Sequence, residues 1–193
     1  LHNSLVQVDS DTYALAYTGT ASDGFISTFT ISSDGTTITE VGSLEHDTDK
    51  GFWNSLVQVD SDTYALAYQG AGDDGFIATF TISSDGTTIT EVDSLEHDTG
   101  KGSHNSLVQV DSDTYALAYA GTDDDGFIST FTIDSDGTIT AVKTQSEGNN
   151  LEHDTDTGGH NSLVQVDSDT YALAYSGTDD DGFISTFTID SDG

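Results

Sequence analysis

Asn3-Ser-Leu-Val-Gln-Val-Asp-Ser-Asp-Thr-Tyr-Ala-Leu-Ala-Tyr17 is a stretch that this 193-residue chain contains four times, starting at Asn3, Asn54, Asn105 and Asn161. Successive copies are 51, 51 and 56 residues apart. A period of this length predicts an array of supersecondary units, each of which needs its neighbours to bury its apolar face. The repeat therefore decides the fold before any local motif is considered.

Each unit has the pattern of four β-strands. In the first unit, residues 4–8 and 12–17 are β-rich runs separated by an Asp-Ser-Asp turn signal, and the second run alternates large and small residues with a period of two. Residues 25–31 form a third run. An Asp-Gly hairpin signal separates it from a fourth run at residues 36–41. Four strands per repeat of about fifty residues are typical of the blade of a β-propeller.

The pattern Thr-Tyr-Ala-Leu-Ala-Tyr at 12–17, Gly19, Asp-Gly-Phe-Ile-Ser-Thr-Phe-Thr-Ile at 23–31 and Ser-Asp-Gly-Thr at 33–36 resembles the propeller repeats of prokaryotic secreted and surface proteins. The Gly-His and Trp-Asp signature of WD40 blades is absent. We expect a single all-β repeat domain over residues 1–193, a β-propeller-like array of four antiparallel four-stranded blades, with an all-β solenoid as the alternative. The predicted blades are residues 1–52, 53–103, 104–159 and 160–193.

The fourth unit carries no outer strand, because residue 193 lies inside its last hairpin. An unpaired sheet edge is a template for the addition of another strand. We therefore expect either self-association of the chain or pairing with adjoining repeats of the same protein.

The charge of the chain restricts its partners. There are 35 acidic residues against three lysines and no arginine, which gives a formal net charge of −32. Nucleic acid and anionic membrane surfaces are disfavoured, because both need clustered cations. No apolar run approaches the roughly 18 residues that span a bilayer, so membrane insertion is not expected.

Histidine and tryptophan recur in the crossovers between units. Trp53, His104 and His160 are equivalent to His2, and a propeller would place these crossovers around one mouth of its central channel. They are the predicted ligand-binding residues, with carbohydrate as the partner. A second set, in Leu-Glu-His-Asp, is expected to pack in loops, with a transition metal as the alternative; its members are His46, His97 and His153.

Acidic turns are the candidate calcium sites. Calcium takes six to eight hard oxygen ligands, and clustered carboxylates beside a glycine supply several of them. Asp and Gly are also ordinary turn residues, so only weak calcium binding is expected, and no other cofactor is predicted. The candidate residues are Asp73, Asp74, Asp123, Asp124, Asp125, Asp179, Asp180 and Asp181.

No catalytic motif stands out from the sequence. Cysteine is absent, and there is neither a Gly-x-Ser-x-Gly elbow nor a glycine-rich phosphate loop. The blades are nearly identical, whereas an active site is asymmetric. The sequence therefore predicts a non-enzymatic structural or adhesive module, extracellular or on the cell surface. The alternatives are a carbohydrate-binding, lectin-like propeller and a propeller glycoside hydrolase or lyase.

Overall fold

The computed structural model describes residues 2–145 and 147–193. These residues form antiparallel sheets, with four short 3-10 turns at Thr20–Ser22, Ala71–Asp73, Thr122–Asp124 and Thr178–Asp180. The strands in chain order are β1 (Ser4–Gln7), β2 (Thr12–Thr18), β3 (Gly24–Ile31), β4 (Ile38–Asp47), β5 (Phe52–Gln58), β6 (Thr63–Gln69), β7 (Gly75–Ile82), β8 (Ile89–Asp98), β9 (Ser103–Gln109), β10 (Thr114–Ala120), β11 (Gly126–Ile133), β12 (Ile139–Lys143), β13 (Leu151–Asp154), β14 (Gly159–Asp167), β15 (Thr170–Ser176) and β16 (Gly182–Thr188).

The strands form four blades, as the repeat predicts. Blade 1 is β1-β2-β3-β4 and blade 2 is β5-β6-β7-β8, each paired in sequence order. Blade 3 has β9, β10 and β11, and its outer strand is split into β12 and β13, which both pair with β11. The extra residues of the third repeat lie between these two halves. The prediction of an all-β, propeller-like array is confirmed.

Blade 4 contains three strands in the order β14-β15-β16. The equivalents of β16 in the other blades, β3, β7 and β11, each pair on their far side with an outer strand. Within residues 2–145 and 147–193, β16 pairs only with β15. The edge of β16 is therefore the open edge that the sequence predicts.

The blades pack face to face because each sheet has a small face and a large face. Ala14, Ala16 and Ile26 on one face of blade 1 are fully buried against the following blade. That blade presents Tyr64 and Phe80 with its leucines, and the same pairing of faces recurs at the next two interfaces. Alanine lets the sheets approach, and the aromatic rings and leucines of the facing blade bury apolar area against it.

Serine hydroxyls tie neighbouring inner strands together. The Oγ atom of Ser4 accepts a hydrogen bond of 2.9 Å from the backbone N–H of Leu56 in the next blade. The equivalent bonds, from Leu107 to Ser55 and from Leu163 to Ser106, measure 3.0 and 2.9 Å. These bonds fix the position of each inner strand along the direction of its neighbour, so that equivalent residues of successive blades lie close together.

A histidine fills the interface at the end of each outer strand; His97 is fully buried there, and His46 and His153 are partly buried. The ring of His97 lies 4.8 Å from that of Tyr119 and 5.8 Å from that of Phe131, both in the next blade. Its other side lies against Gly75, where an added Cβ would stand 2.6 Å from the imidazole Cε1. Glycine is required there because the imidazole occupies the space of a side chain. His46 and His153 lie in the same way against Gly24 and Gly126.

No helix in the described part of the chain is long and apolar enough to cross a membrane.

The glycines that face these histidine rings offer a matched pair of variants. An added Cβ at Gly126 would stand 2.4 Å from His153, whereas nothing lies within 4 Å of one at the equivalent Gly182. We expect Gly126→Ala to lower the free energy of unfolding by about 1–3 kcal/mol, as overpacking does. Gly182→Ala serves as the control and should change it by less than about 0.5 kcal/mol. Urea unfolding measures both, and equal effects would contradict the packing described.

Candidate functional site

The structure brings together the three residues predicted to bind a ligand. Trp53, His104 and His160 stand at the starts of three successive inner strands, and His2 holds the equivalent place in blade 1. The ring centroid of Trp53 is 3.7 Å from that of His104 and 6.1 Å from that of His160. The two imidazole centroids are 4.3 Å apart, and His2 is 5.3 Å from Trp53. We call these four residues the axial cluster.

The backbone of the axial cluster is strained. Trp53, His104 and His160 have φ values of 55°, 57° and 53°. Bulky residues seldom adopt this left-handed conformation, and each instance costs on the order of 1–3 kcal/mol. The register of each inner strand also shifts just after this residue. These three residues, at equivalent positions and with the same backbone conformation, bring their rings together.

Asparagine side chains hold this backbone in place. Nδ2 of Asn105 donates hydrogen bonds to the carbonyl oxygens of Trp53 (3.2 Å) and Gly102 (3.1 Å). Nδ2 of Asn161 donates in the same way to His104 and Gly158. Each amide therefore links the axial residue of one blade to the crossover of the next. The sequence analysis missed these asparagines, although each one opens a copy of the repeat.

A small polar cavity lies within the axial cluster. It has a volume of about 70 Å³ and is lined by His2, His104, Asn105, His160 and Asn161. Three of these lining residues each carry a buried side-chain atom that has no hydrogen-bond partner in the protein: Oδ1 of Asn105, Oδ1 of Asn161 and Nδ1 of His104. Such groups are costly unless a bound molecule satisfies them. The cavity has room for about two water molecules or for the polar group of a ligand.

Burial keeps His104 neutral. Desolvation, followed by the nearby His160, Lys101 and His2, lowers the pKa of His104 to about 4, and Asp124 opposes this weakly. At pH 7 the imidazole is therefore an uncharged base with a free lone pair. It can accept a proton from a molecule held in the cavity.

Acidic turns surround the mouth of the axial cluster. In blades 1 to 3, the turn between the second and third strands accepts a hydrogen bond from the crossover that follows; in blade 2, Gly102 N–H donates to the carbonyl oxygen of Asp73 at 3.0 Å. Lys50 forms an ion pair of 2.6 Å with Asp73, and Lys101 pairs with Asp124. Both cations at the mouth are thus neutralised, and the remaining carboxylates give this face a negative potential.

The predicted calcium residues lie in these turns, and most of them are exposed. Asp73, Asp123, Asp124, Asp179 and Asp180 have positive φ values of 60–75°, which Asp tolerates in turns. Across residues 2–145 and 147–193, no group of three or more His, Cys, Asp or Glu side chains is arranged to hold a metal ion. Calcium binding by these turns stays a prediction, and so does a transition metal at the histidines.

The second histidine set does not lie in loops. His46, His97 and His153 stand within β4, β8 and β13, between blades, and neither ring nitrogen of any of them has a hydrogen-bond partner in the protein. Desolvation lowers the pKa of His97 to about 3 and those of His46 and His153 to about 4. Their role is to fill the interface. They are not part of the axial cluster.

Comparison with known proteins identifies the family. A family model described as "Lactonase, 7-bladed beta-propeller" matches residues 12–193. No curated protein matches the chain.

Solved structures share the fold. A protein from Lactobacillus plantarum has a TM-score of 0.65 at 15% identity, covering 93% of this chain and 48% of its own. The periplasmic gluconolactonase PpgL of Pseudomonas aeruginosa has a TM-score of 0.64 at 11% identity, covering 97% and 57%. The NanB sialidase of Streptococcus pneumoniae has 0.61 at 11% identity, covering 89% and 27%. The chain thus spans about half of the length of the first two structures and 27% of the third.

The family match overturns one part of the sequence analysis. The prediction of a non-enzymatic structural or adhesive module is wrong, because the matched family is one of lactonases, which are enzymes. The near identity of the blades was misleading, since the repeats also differ within the axial cluster. Trp53 replaces histidine at one of the four equivalent positions.

The interface histidines predict an acid-sensitive fold. Between pH 7 and pH 5 the unfolded chain takes up protons on these histidines, whereas burial keeps them neutral in the folded chain. Stability should therefore fall as the pH falls, by up to about 1.4 kcal/mol per pH unit for each histidine. His97→Asn removes one titrating group and should flatten the slope by that amount. Urea unfolding at constant high salt tests this, and an unchanged slope would contradict it.

Proposed function

We propose that this chain, which belongs to the family of seven-bladed β-propeller lactonases, takes part in the hydrolysis of an uncharged, hydroxylated lactone at its axial cluster. The observation that carries the proposal is the cavity of about 70 Å³, which is lined by the neutral His104 together with Asn105 and Asn161, residues that each carry a buried polar atom without a partner in the protein. A lactonase needs a water molecule and a base to activate it. This cavity has room for the water, and His104, which lines it, is the base.

The charge of the mouth supports an uncharged substrate. Recognition of a phosphate or carboxylate group relies on arginine or lysine. The chain has no arginine, and Lys50 and Lys101 are already paired with aspartates at the mouth. A phosphorylated lactone would enter a field of like charge. A neutral sugar lactone would not, and its hydroxyl groups can donate to the carboxylates of the rim.

The residues of the axial cluster suit the hydrolytic step. A water held in the cavity would lie beside His104, Asn105 and Asn161, with its lone pairs available to the lactone carbonyl carbon. As the water oxygen bonds to that carbon, His104 takes its proton. The ester C–O bond of the ring then breaks, and His104 returns the proton to the leaving ring oxygen, giving the hydroxy acid and the neutral imidazole again. The acidic rim repels the new carboxylate and favours product release.

Trp53 supplies an apolar surface beside the base. Its indole lies on the imidazole of His104, with centroids 3.7 Å apart. This contact, with the two rings tilted by 35° to each other, helps to desolvate His104 and restricts the orientation of its ring. The exposed part of the indole can contact the apolar face of a sugar ring, as aromatic side chains commonly do.

Carbohydrate binding without turnover is the second candidate, because the same acceptors and the same indole would hold a sugar. An acidic sugar, such as the substrate class of a sialidase, is disfavoured by the missing arginine. A location outside the cell, at its surface or in the periplasm, is also part of this proposal. It is supported by the acidic composition and by the likeness to a periplasmic gluconolactonase.

The proposal predicts a substrate preference and a dependence on His104. The chain should hydrolyse glucono-1,5-lactone faster than the spontaneous rate and should prefer it to the 6-phosphorylated lactone. His104→Gln should lower kcat by about 10²–10⁴-fold, the usual contribution of a general base. Acid release in a pH-stat at pH 6 measures this.

Asp85→Asn is the matched control, because Asp85 lies in the β7–β8 hairpin, away from the axial cluster. It should leave the rate unchanged. Folded protein that binds gluconolactone but gives no rate above background would support the carbohydrate-binding candidate instead. Equal rates for His104→Gln and the unaltered chain would refute the role of this base.

A further inference from the structure

Two imidazoles share the axial cavity. His104 and His160 both line it, and their ring centroids are 4.3 Å apart with the ring planes at 65°. Their environments differ, because His104 is half-buried beside Trp53 whereas His160 is exposed. Two titratable groups of one site that lie in different environments commonly divide the base and donor roles of a reaction. With His104 as the base, His160 is available for the other role.

The backbone fixes one imidazole relative to the other. Asn161, which follows His160 in the chain, donates from Nδ2 to the carbonyl oxygen of His104 at 3.1 Å. The same amide group donates to the carbonyl oxygen of Gly158 at 2.8 Å. These bonds tie the start of β14 to the start of β9. The backbone segments that carry the two rings are thus in place before a ligand binds, as a preorganised site requires.

Lactone hydrolysis needs a hydrogen-bond donor as well as a base. When the water oxygen bonds to the carbonyl carbon, the carbonyl oxygen becomes an oxyanion. The acidic turns at the mouth make this negative charge costly. The chain has no arginine, Lys50 and Lys101 are already paired with aspartates, and the third lysine, Lys143, lies in the outer strand β12. The donor therefore has to come from the residues that line the cavity.

The asparagine side chains that line the cavity have both of their N–H groups occupied. A side-chain amide has two N–H groups. Nδ2 of Asn105 donates to the carbonyl oxygens of Trp53 and Gly102, and Nδ2 of Asn161 donates to two carbonyl oxygens in the same way. Both amide groups therefore hold the backbone, and neither has an N–H group left for an oxyanion.

Among the imidazoles, His160 is the one placed to donate. A neutral imidazole has one N–H donor and one acceptor nitrogen. His2 also lines the cavity, but its ring contact is with Trp53, at 5.3 Å. The ring of His160 lies against that of the base, so that a group held beside His104 is also beside His160. The cavity of about 70 Å³ has room for about two waters, which is the space of the attacking water and the carbonyl oxygen together.

We propose that His160 is a second catalytic residue, which donates its ring N–H to the lactone carbonyl oxygen; this role rests on the function proposed above. As the water oxygen bonds to the carbonyl carbon, the electron pair of the C=O double bond moves to the oxygen and the hydrogen bond from His160 strengthens. As the ring C–O bond breaks, the double bond forms again. His160 keeps its proton throughout, while His104 carries the proton of the water to the ring oxygen.

Two substitutions of His160 separate hydrogen-bond donation from a steric role. His160→Gln keeps an N–H donor and should lower kcat for glucono-1,5-lactone by no more than about tenfold, since a weaker hydrogen bond remains. His160→Leu removes the donor and should lower kcat by about 10²–10³-fold, the usual effect of losing one oxyanion donor. Acid release in a pH-stat measures both rates. Equal rates for the two variants would refute the inference.

The binding of two unreactive ligands tests the contact without turnover. Glucono-1,5-lactam has a carbonyl group where the lactone has one, whereas 1,5-anhydroglucitol has none. The fluorescence of Trp53, the sole tryptophan of the chain, reports binding at the axial cluster. His160→Leu should weaken lactam binding by about tenfold, the effect of one hydrogen bond, and should leave anhydroglucitol binding unchanged. Equal weakening of both ligands would show a merely structural role for His160 and would overturn the inference.

The outcomes distinguish this inference from the proposed function. If the unaltered chain hydrolyses no lactone above background, the proposed function is wrong and the catalytic role of His160 is wrong with it. A rate that depends on His104 but is the same in the unaltered chain and in His160→Leu overturns this inference alone.

Discussion

Packing of an alanine face against a tyrosine and leucine face is the interaction on which this structure depends. Each blade presents both faces, and neither can be buried within the blade itself. Ala65 and Ala67 of blade 2 are fully buried against Tyr115 and Leu117 of blade 3, and the other interfaces repeat this contact. On the equivalent face of blade 4, against which no described residue packs in this way, Val166 is 63% exposed. Stability is therefore shared between neighbours, and the axial cluster exists only because the packing aligns successive inner strands.

The fold could be predicted from the sequence because its signals are local and agree with one another. Alternation at residues 12–17 and the Asp-Gly hairpin at 34–35 determine strands and turns without reference to the rest of the chain. The burial of His97 could not be predicted, because it depends on Gly75 beside it and on Tyr119 from the next blade. Leu-Glu-His-Asp, taken alone, has the composition of an exposed loop.

Part of the candidate site could be predicted from the sequence. Trp53, His104 and His160 occupy equivalent positions, and a closed array of repeats brings equivalent positions together, so their proximity could be predicted. The role of Asn105 could not be predicted, because its side chain bonds to the backbone carbonyl group of Trp53 in the preceding blade. The function was misjudged for a related reason. The near identity of the blades conceals the difference at Trp53, the one position of the axial cluster that is not a histidine.

The central claim about function is that His104 is an uncharged base, desolvated against Trp53. Trp53 is the sole tryptophan of the chain, and a protonated imidazole in contact with an indole quenches its fluorescence. Fluorescence recorded from pH 7 to pH 3 therefore reports the protonation of the axial cluster, with His104→Gln as the reference. The structure predicts a His104-dependent transition centred near pH 4, where burial places the pKa of His104. A transition near pH 6.5, the value for a solvated histidine, would contradict the account.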